Sequence, residues 1–296
     1  MIGLSCRLLV HVAVVLLAPP LLLGVIGKTK AFLTGRIGPP ILQPYYDLWK
    51  LWHKGAVYSR TTSWLFRAGP MVALAAFLVA ALLIPLGSQP APLSFFGDVI
   101  LWAYLFGLAR FATVLAAMDT GSSFEGMGAS REVTFSSLAE PALFLGLAVV
   151  ARQTQSLSLS QMLGPALAHA WAVSAPALGL VAASLFIVLL AENARIPVDD
   201  PATHLELTMI HEVMVLDHGG PDLGLILYGS ALKLFVLGML LVQLFLPGMP
   251  WVGLLVLCLL IGAVESLMAR LRLVHVPRLL MAACALAAMG LLLVWS

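Results

Sequence analysis

Long apolar runs recur along the whole chain, and the short segments between them hold most of the charge. A spanning helix needs about 20 predominantly apolar residues. That rule predicts spans near 4–27, 68–87, 97–118, 133–151, 172–191, 223–246, 251–269 and 277–295. The expected fold is an all-α integral membrane protein with about eight transmembrane helices, forming one membrane domain over 1–296. Pro19-Pro20 and Pro141 fall inside spans. Neighbouring helices can satisfy the carbonyls that proline frees, so they predict kinks and not breaks.

Composition agrees: 61% of residues are hydrophobic, 10% are charged and mean hydropathy is +1.02. The apolar run after Arg7 is too long for a signal-peptide core and has no small-residue cleavage site before Lys28, so it is expected to be a retained first helix. No internal repeat of the kind that marks many secondary transporters is visible. Cys6, Cys258 and Cys284 stand far apart, which leaves neither a CxxC pair nor a disulfide framework.

Charge is sorted by side. Lys28, Lys30, Arg36, Lys50, Lys54, Arg60 and Arg67 lie in the first long connection, and Arg131, Arg195, Arg270, Arg272 and Arg278 fall on the same side. Arg7 and Arg152 lie opposite. The positive-inside rule then places both termini away from the cytoplasm. Net charge is only +2, so no nucleic-acid footprint is indicated. Residues 192–222 carry seven acids, Glu192, Asp199, Asp200, Glu206, Glu212, Asp217 and Asp222, against the single Arg195. Topology is largely indifferent to Asp and Glu, so this acidic loop calls for another explanation.

Arg110, Glu140 and Lys233 lie within predicted spans. Ionisable groups there suggest an ion or proton path, with a static pair such as Arg110 with Glu140 as the alternative. Asp119, Glu192 and Glu265 sit at span ends and, with Glu140, are candidates for a chain of carboxylates. His211-Glu212 begins like HExxH, but position 215 is Val, and a metal site from His204, His211 and His218 lacks a supporting helix beyond Gly219-Gly220-Pro221. Bis-histidine haem is disfavoured because His11 and His169 lie toward the far surface.

Four segments carry a resemblance: R-I-G-P-P-I-L-Q-P-Y-Y-D-L-W-K-L at 36–51, D-T-G-S-S-F-E-G-M-G-A-S-R-E-V-T-F-S-S-L-A-E-P at 119–141, A-E-N-A-R-I-P-V-D-D-P at 191–201 and E-S-L-M-A-R-L-R-L at 265–273. Together they resemble the family that contains subunit 1 of respiratory complex I and the equivalent membrane subunit of energy-converting nickel–iron hydrogenases. The similarity is greatest to the branch of formate hydrogenlyase subunit 4 and hydrogenase-4 component C.

The resemblance implies a membrane anchor without a catalytic residue or redox centre of its own. It implies partners: hydrogenase-like large and small subunits, an iron–sulfur protein and antiporter-like membrane subunits, in a bacterial inner membrane. The nickel–iron centre and iron–sulfur clusters belong to those partners. By motif position it implies docking by Arg36, Gly38, Pro39, Gln43, Asp47, Lys50, Arg131 and Glu132, and a coupling loop with Arg195, Asp199, Asp200 and Glu206. The ion path is expected to use Glu140, Asp119, Glu192, Lys233, Arg110 and Glu265.

Two physical readings accompany it. Leu42, Tyr45, Tyr46, Leu48, Trp49 and Trp52 after the Gly38-Pro39 turn predict an amphipathic helix on the membrane surface, serving either as a docking shelf or as a plain interfacial anchor. Pro197 breaks the helix, so Asp199 and Asp200 are expected on a loop able to face the peripheral arm. Two other functions remain open. One is the quinone-channel subunit of a complex I variant, weakened by Ala202, Thr203 and His204 where complex I members usually have glutamates. The other is a self-contained secondary transporter.

Overall fold

The computed structural model describes residues 2–87, 89–200, 209–246 and 248–295, with side chains from residue 7 onward. The expectations for Glu206, His204, Ala202 and Thr203 lie outside the described residues. Ten α-helices follow in order: α1 Ile2–Leu33, α2 Gln43–Trp52, α3 Trp64–Leu83, α4 Asp98–Asp119, α5 Ser123–Thr154, α6 Leu159–Met162, α7 Pro165–Glu192, α8 Gly220–Phe245, α9 Pro250–Leu267 and α10 Val276–Trp295. Eight of the described helices are long and apolar enough to cross a bilayer. The two others are α2, the expected surface helix, and the single-turn α6.

Helix starts follow local chemistry. Pro44, Pro165, Pro221 and Pro250 occupy the first or second positions of their helices, where the missing N–H costs nothing. Ser63 caps α3 by accepting from the Leu65 amide. Asp98 is fully buried and accepts from the Ser158 hydroxyl at 2.9 Å and the Leu159 amide at 2.6 Å, which fastens α4 to α6.

Three spans are longer than the hydropathy pattern predicts. α1 continues past residue 27 to Leu33 because Lys28 and Lys30 extend their stems along the helix and find partners, the Ile37 carbonyl at 2.9 Å and Glu265 at 2.9 Å. α7 begins at Pro165 and contains a kink at Ser174, whose hydroxyl accepts from Gln153 at 2.8 Å two residues before Pro176. α5 begins at Ser123, and its 32 residues extend about 48 Å, well beyond a hydrocarbon layer of about 30 Å. Charge at Glu125, Arg131 and Glu132 hides this extension from a hydropathy window. Gly128 permits it: a Cβ there would lie 2.4 Å from Val213 and 3.1 Å from the Ile210 carbonyl.

α8 is the central helix, with 72% of its span buried against 22–50% for the other seven. It packs on α1, α3, α7 and α9, and α2 lies against it where Trp52 and Leu51 approach Gly224. On the other side α5, α7 and α10 form a three-helix group. Apolar residues left outside, such as Leu9, Tyr104, Phe111 and Leu292, provide the lipid-facing surface.

The carbonyls freed by Pro19-Pro20 have identifiable partners. Neither proline can donate to the carbonyl four residues back, which frees those of Val15 and Leu16. The Tyr228 hydroxyl of α8 donates to Leu16 at 2.9 Å and approaches Val15 at 3.5 Å, while Tyr45 of α2 donates to the Leu17 carbonyl. Tyr228→Phe removes the donor to the part-buried Leu16 carbonyl, and a loss of about 0.5–1.5 kcal/mol is expected. A lower thermal midpoint in detergent measures it.

Candidate functional site

Arg110 projects from α4 into the bundle with 11% of its side chain exposed, and its guanidinium meets three carboxylates. Nε lies 3.2 Å from Glu132 of α5, Nη1 contacts Glu140 of α5, and Nη2 is 2.5 Å from Glu192 at the end of α7. A planar fork of fixed donors suits this task, which an ammonium could not perform. Lys233 of α8 lies 2.6 Å from the other Glu192 oxygen. His211, from the connection before α8, brings Nε2 within 3.1 Å of Glu132.

Three carboxylates thus face two fixed cations in a low-dielectric interior. With all of them ionised, one negative charge is left over. Glu132 and Glu192 are nearly enclosed, whereas Glu140 keeps 44% of its side chain exposed.

A cleft of about 400 Å³ adjoins the cluster. Arg110, Glu132, Glu192, His211 and Lys233 line its charged end, and Phe77, Phe106 and Leu225 contribute to its apolar walls. That volume lies in the range of small-molecule sites.

Of the six ion-path candidates, Glu140, Glu192, Arg110 and Lys233 converge. Asp119 does not join them. Its oxygens accept from the Ser63 amide at 2.6 Å and hydroxyl at 2.8 Å, fixing the start of α3. Glu265 forms a separate buried group with Lys30 at 2.9 Å and Arg195 at 3.2 Å, tying α1 and the end of α7 to α9.

Two residues assigned to docking lie elsewhere. Glu132 is enclosed beside Arg110, because the early start of α5 carries it into the bundle. Arg131 turns inward to donate to the Met209 carbonyl at 2.8 Å. The remaining docking candidates stay together on the first connection. Arg36, Pro39, Asp47 and Lys50 are exposed, and Gln43 donates to Asp47 at 2.8 Å across one turn of α2. Gly38 has φ +65, and a Cβ there would strike Ala31 at 2.3 Å, so only glycine folds this segment onto α1.

The coupling-loop expectation also changes. Asp199 faces inward, 3% exposed, with Arg270 at 2.9 Å and the amides of Ile210 at 3.0 Å and His211 at 3.4 Å. It holds the segment carrying His211, and Asp200 follows it half-buried. Sequence reasoning missed Glu132 as a cluster member and set His211 aside with the incomplete HExxH pattern. The spacing of Glu132, Ser136 and Glu140 on a longer α5 was the available signal. Among the described residues no three His, Cys, Asp or Glu side chains converge as metal ligands would.

Fold and site together define a multi-pass membrane subunit that holds a charged cluster inside the bilayer. Residues 6–296 match the NADH dehydrogenase family, and the chain belongs to it. It is 32% identical over 290 residues to formate hydrogenlyase subunit 4 of Escherichia coli (strain K12), covering 92% of both chains. It is 34% identical over 261 residues to hydrogenase-4 component C of the same organism, covering 88% of this chain and 81% of that one. Its fold is similar to that of a chain in the membrane-bound sulfane sulfur reductase, an archaeal respiratory membrane complex. The TM-score there is 0.85 at 24% identity over 99% of both chains.

Proposed function

We propose that this chain is the membrane-anchor and ion-coupling subunit of a hydrogenase-type respiratory complex of the formate hydrogenlyase or hydrogenase-4 kind, in a bacterial inner membrane with both termini outside the cytoplasm. The observation that carries the coupling role is the Arg110 cluster, whose surplus carboxylate invites a proton. Glu140 supplies the outlet: a carboxylate this exposed on a spanning helix calls for a polar neighbour, which an adjoining antiporter-like subunit provides. Exposed Arg36, Tyr46, Trp49 and Lys50 form the shelf for hydrogenase-like large and small subunits and an iron–sulfur protein. Those subunits carry the nickel–iron centre and the clusters.

Affinity purification of the tagged chain from mild detergent tests this directly. Mass spectrometry is expected to find large, small and iron–sulfur subunits co-eluting. Recovery of the chain alone, active in ion transport, would instead support a self-contained transporter. The cleft favours a second reading, a quinone channel, because its size and its apolar walls with one charged end suit a lipophilic ring compound. Photolabelling by a quinone analogue at Phe77 or Phe106 would favour that reading.

A further inference from the structure

His211 is the one member of the cluster that comes from a connection and not from a spanning helix. Its backbone is held by Asp199, which is itself fixed by Arg270, so the ring is aimed and not merely nearby. Nε2 faces Glu132 at 3.1 Å, and buried Nδ1 has no hydrogen-bond partner among the described residues. A cavity of about 10 Å³, the size of one water, lies between His211, Glu132, Ser136 and Glu192, and the larger cleft opens on the ring as well. Imidazole is the side chain whose ordinary titration falls near neutrality, and its two nitrogens can accept and release a proton at different atoms.

We propose that His211 is the proton carrier that joins the connection before α8 to the intramembrane carboxylates, an inference that rests on the coupling role proposed above. The neutral ring binds a proton to become imidazolium. Nε2–H then passes its proton to Glu132, which leaves a neutral ring and a neutral carboxylic acid. In the imidazolium state the cluster has three cations against three carboxylates, so the charge surplus is removed while the proton waits. Glu132 shares Arg110 with Glu140 and Glu192, which gives the proton its onward partners. The charged groups that line the cleft with the ring are Glu132 on α5, Glu192 on α7, Arg195 just after α7, Arg110 on α4 and Lys233 on α8, with Glu212 beside it.

The test uses the assembled complex in proteoliposomes, driven by a viologen electron donor, with a pH-sensitive dye reporting proton movement. His211→Ala is expected to slow proton movement at least about tenfold, and imidazole in the medium is expected to restore most of it. His211→Gln is expected to be slowed to a similar degree, and it covers the case in which His211→Ala does not assemble. A normal rate in either variant, or a slow rate in His211→Ala that imidazole leaves unchanged, would overturn the proposal. Glu140→Gln run in parallel separates the two layers: if it alone abolishes proton movement, the coupling role stands and only the carrier assignment falls.

Discussion

Arg110→Met is expected to be the most damaging single substitution in the protein. It removes the cation shared by Glu132, Glu140 and Glu192 and leaves Lys233, on Glu192, as the fixed cation that the described residues still pair with them. Breaking one buried pair costs about 3–5 kcal/mol; here enclosed Glu132 and the more exposed Glu140 lose their fixed cation, while Glu192 keeps Lys233. That cost is a large fraction of the roughly 5–15 kcal/mol that typically separates folded from unfolded domains. A sharp drop in folded protein in the membrane fraction is therefore expected. Arg110→Lys should rescue little, because one ammonium cannot reach three carboxylates as the guanidinium fork does. Arg110→Met combined with Glu192→Gln should recover part of the yield, since removing both charges of a pair is milder than removing one. Equal yields of Arg110→Met and wild type, by fluorescence-detected size exclusion, would show that the cluster is not a stabilising unit.

Glu140→Gln has the largest expected effect on function with little on folding. Glu140 is the least enclosed of the three acids, and Arg110 retains Glu132 and Glu192 after the change, so the fold should survive. The amide is nearly isosteric but cannot take up a proton in the neutral range. If Glu140 is the outlet, redox turnover with an artificial donor continues while proton movement falls to background.

Much of the fold was legible because a bilayer demands apolar runs of a fixed length, and composition alone reveals these. All eight spans correspond to observed helices. Their ends were legible only where proline or a cap punctuates the chain, as at Pro250 and Pro221. They were missed where charged residues continue a helix with partners supplied by distant segments, as at Lys30 with Glu265 and Arg131 with Met209.

The site divides in the same way. Arg110, Glu140 and Lys233 stood out because an ion inside an apolar run is costly without a partner. Which partner each finds depends on helix packing between residues 22 to 82 positions apart, and no local pattern encodes that. Asp119 and Glu265 looked equivalent to Glu192 in sequence, yet one fixes a helix start and the other ties α1 to α9. His211 resembled half of a metal motif. Its partner proved to be a carboxylate 79 positions earlier.

The Arg110 cluster is proposed to conduct protons and not only to serve as a structural ion pair. The most direct test of this is the number of protons moved per electron pair by the assembled Glu140→Gln complex in sealed proteoliposomes, measured beside wild type at matched redox turnover. A ratio near zero is expected for the variant, with turnover preserved. An unchanged ratio would contradict proton conduction by the cluster.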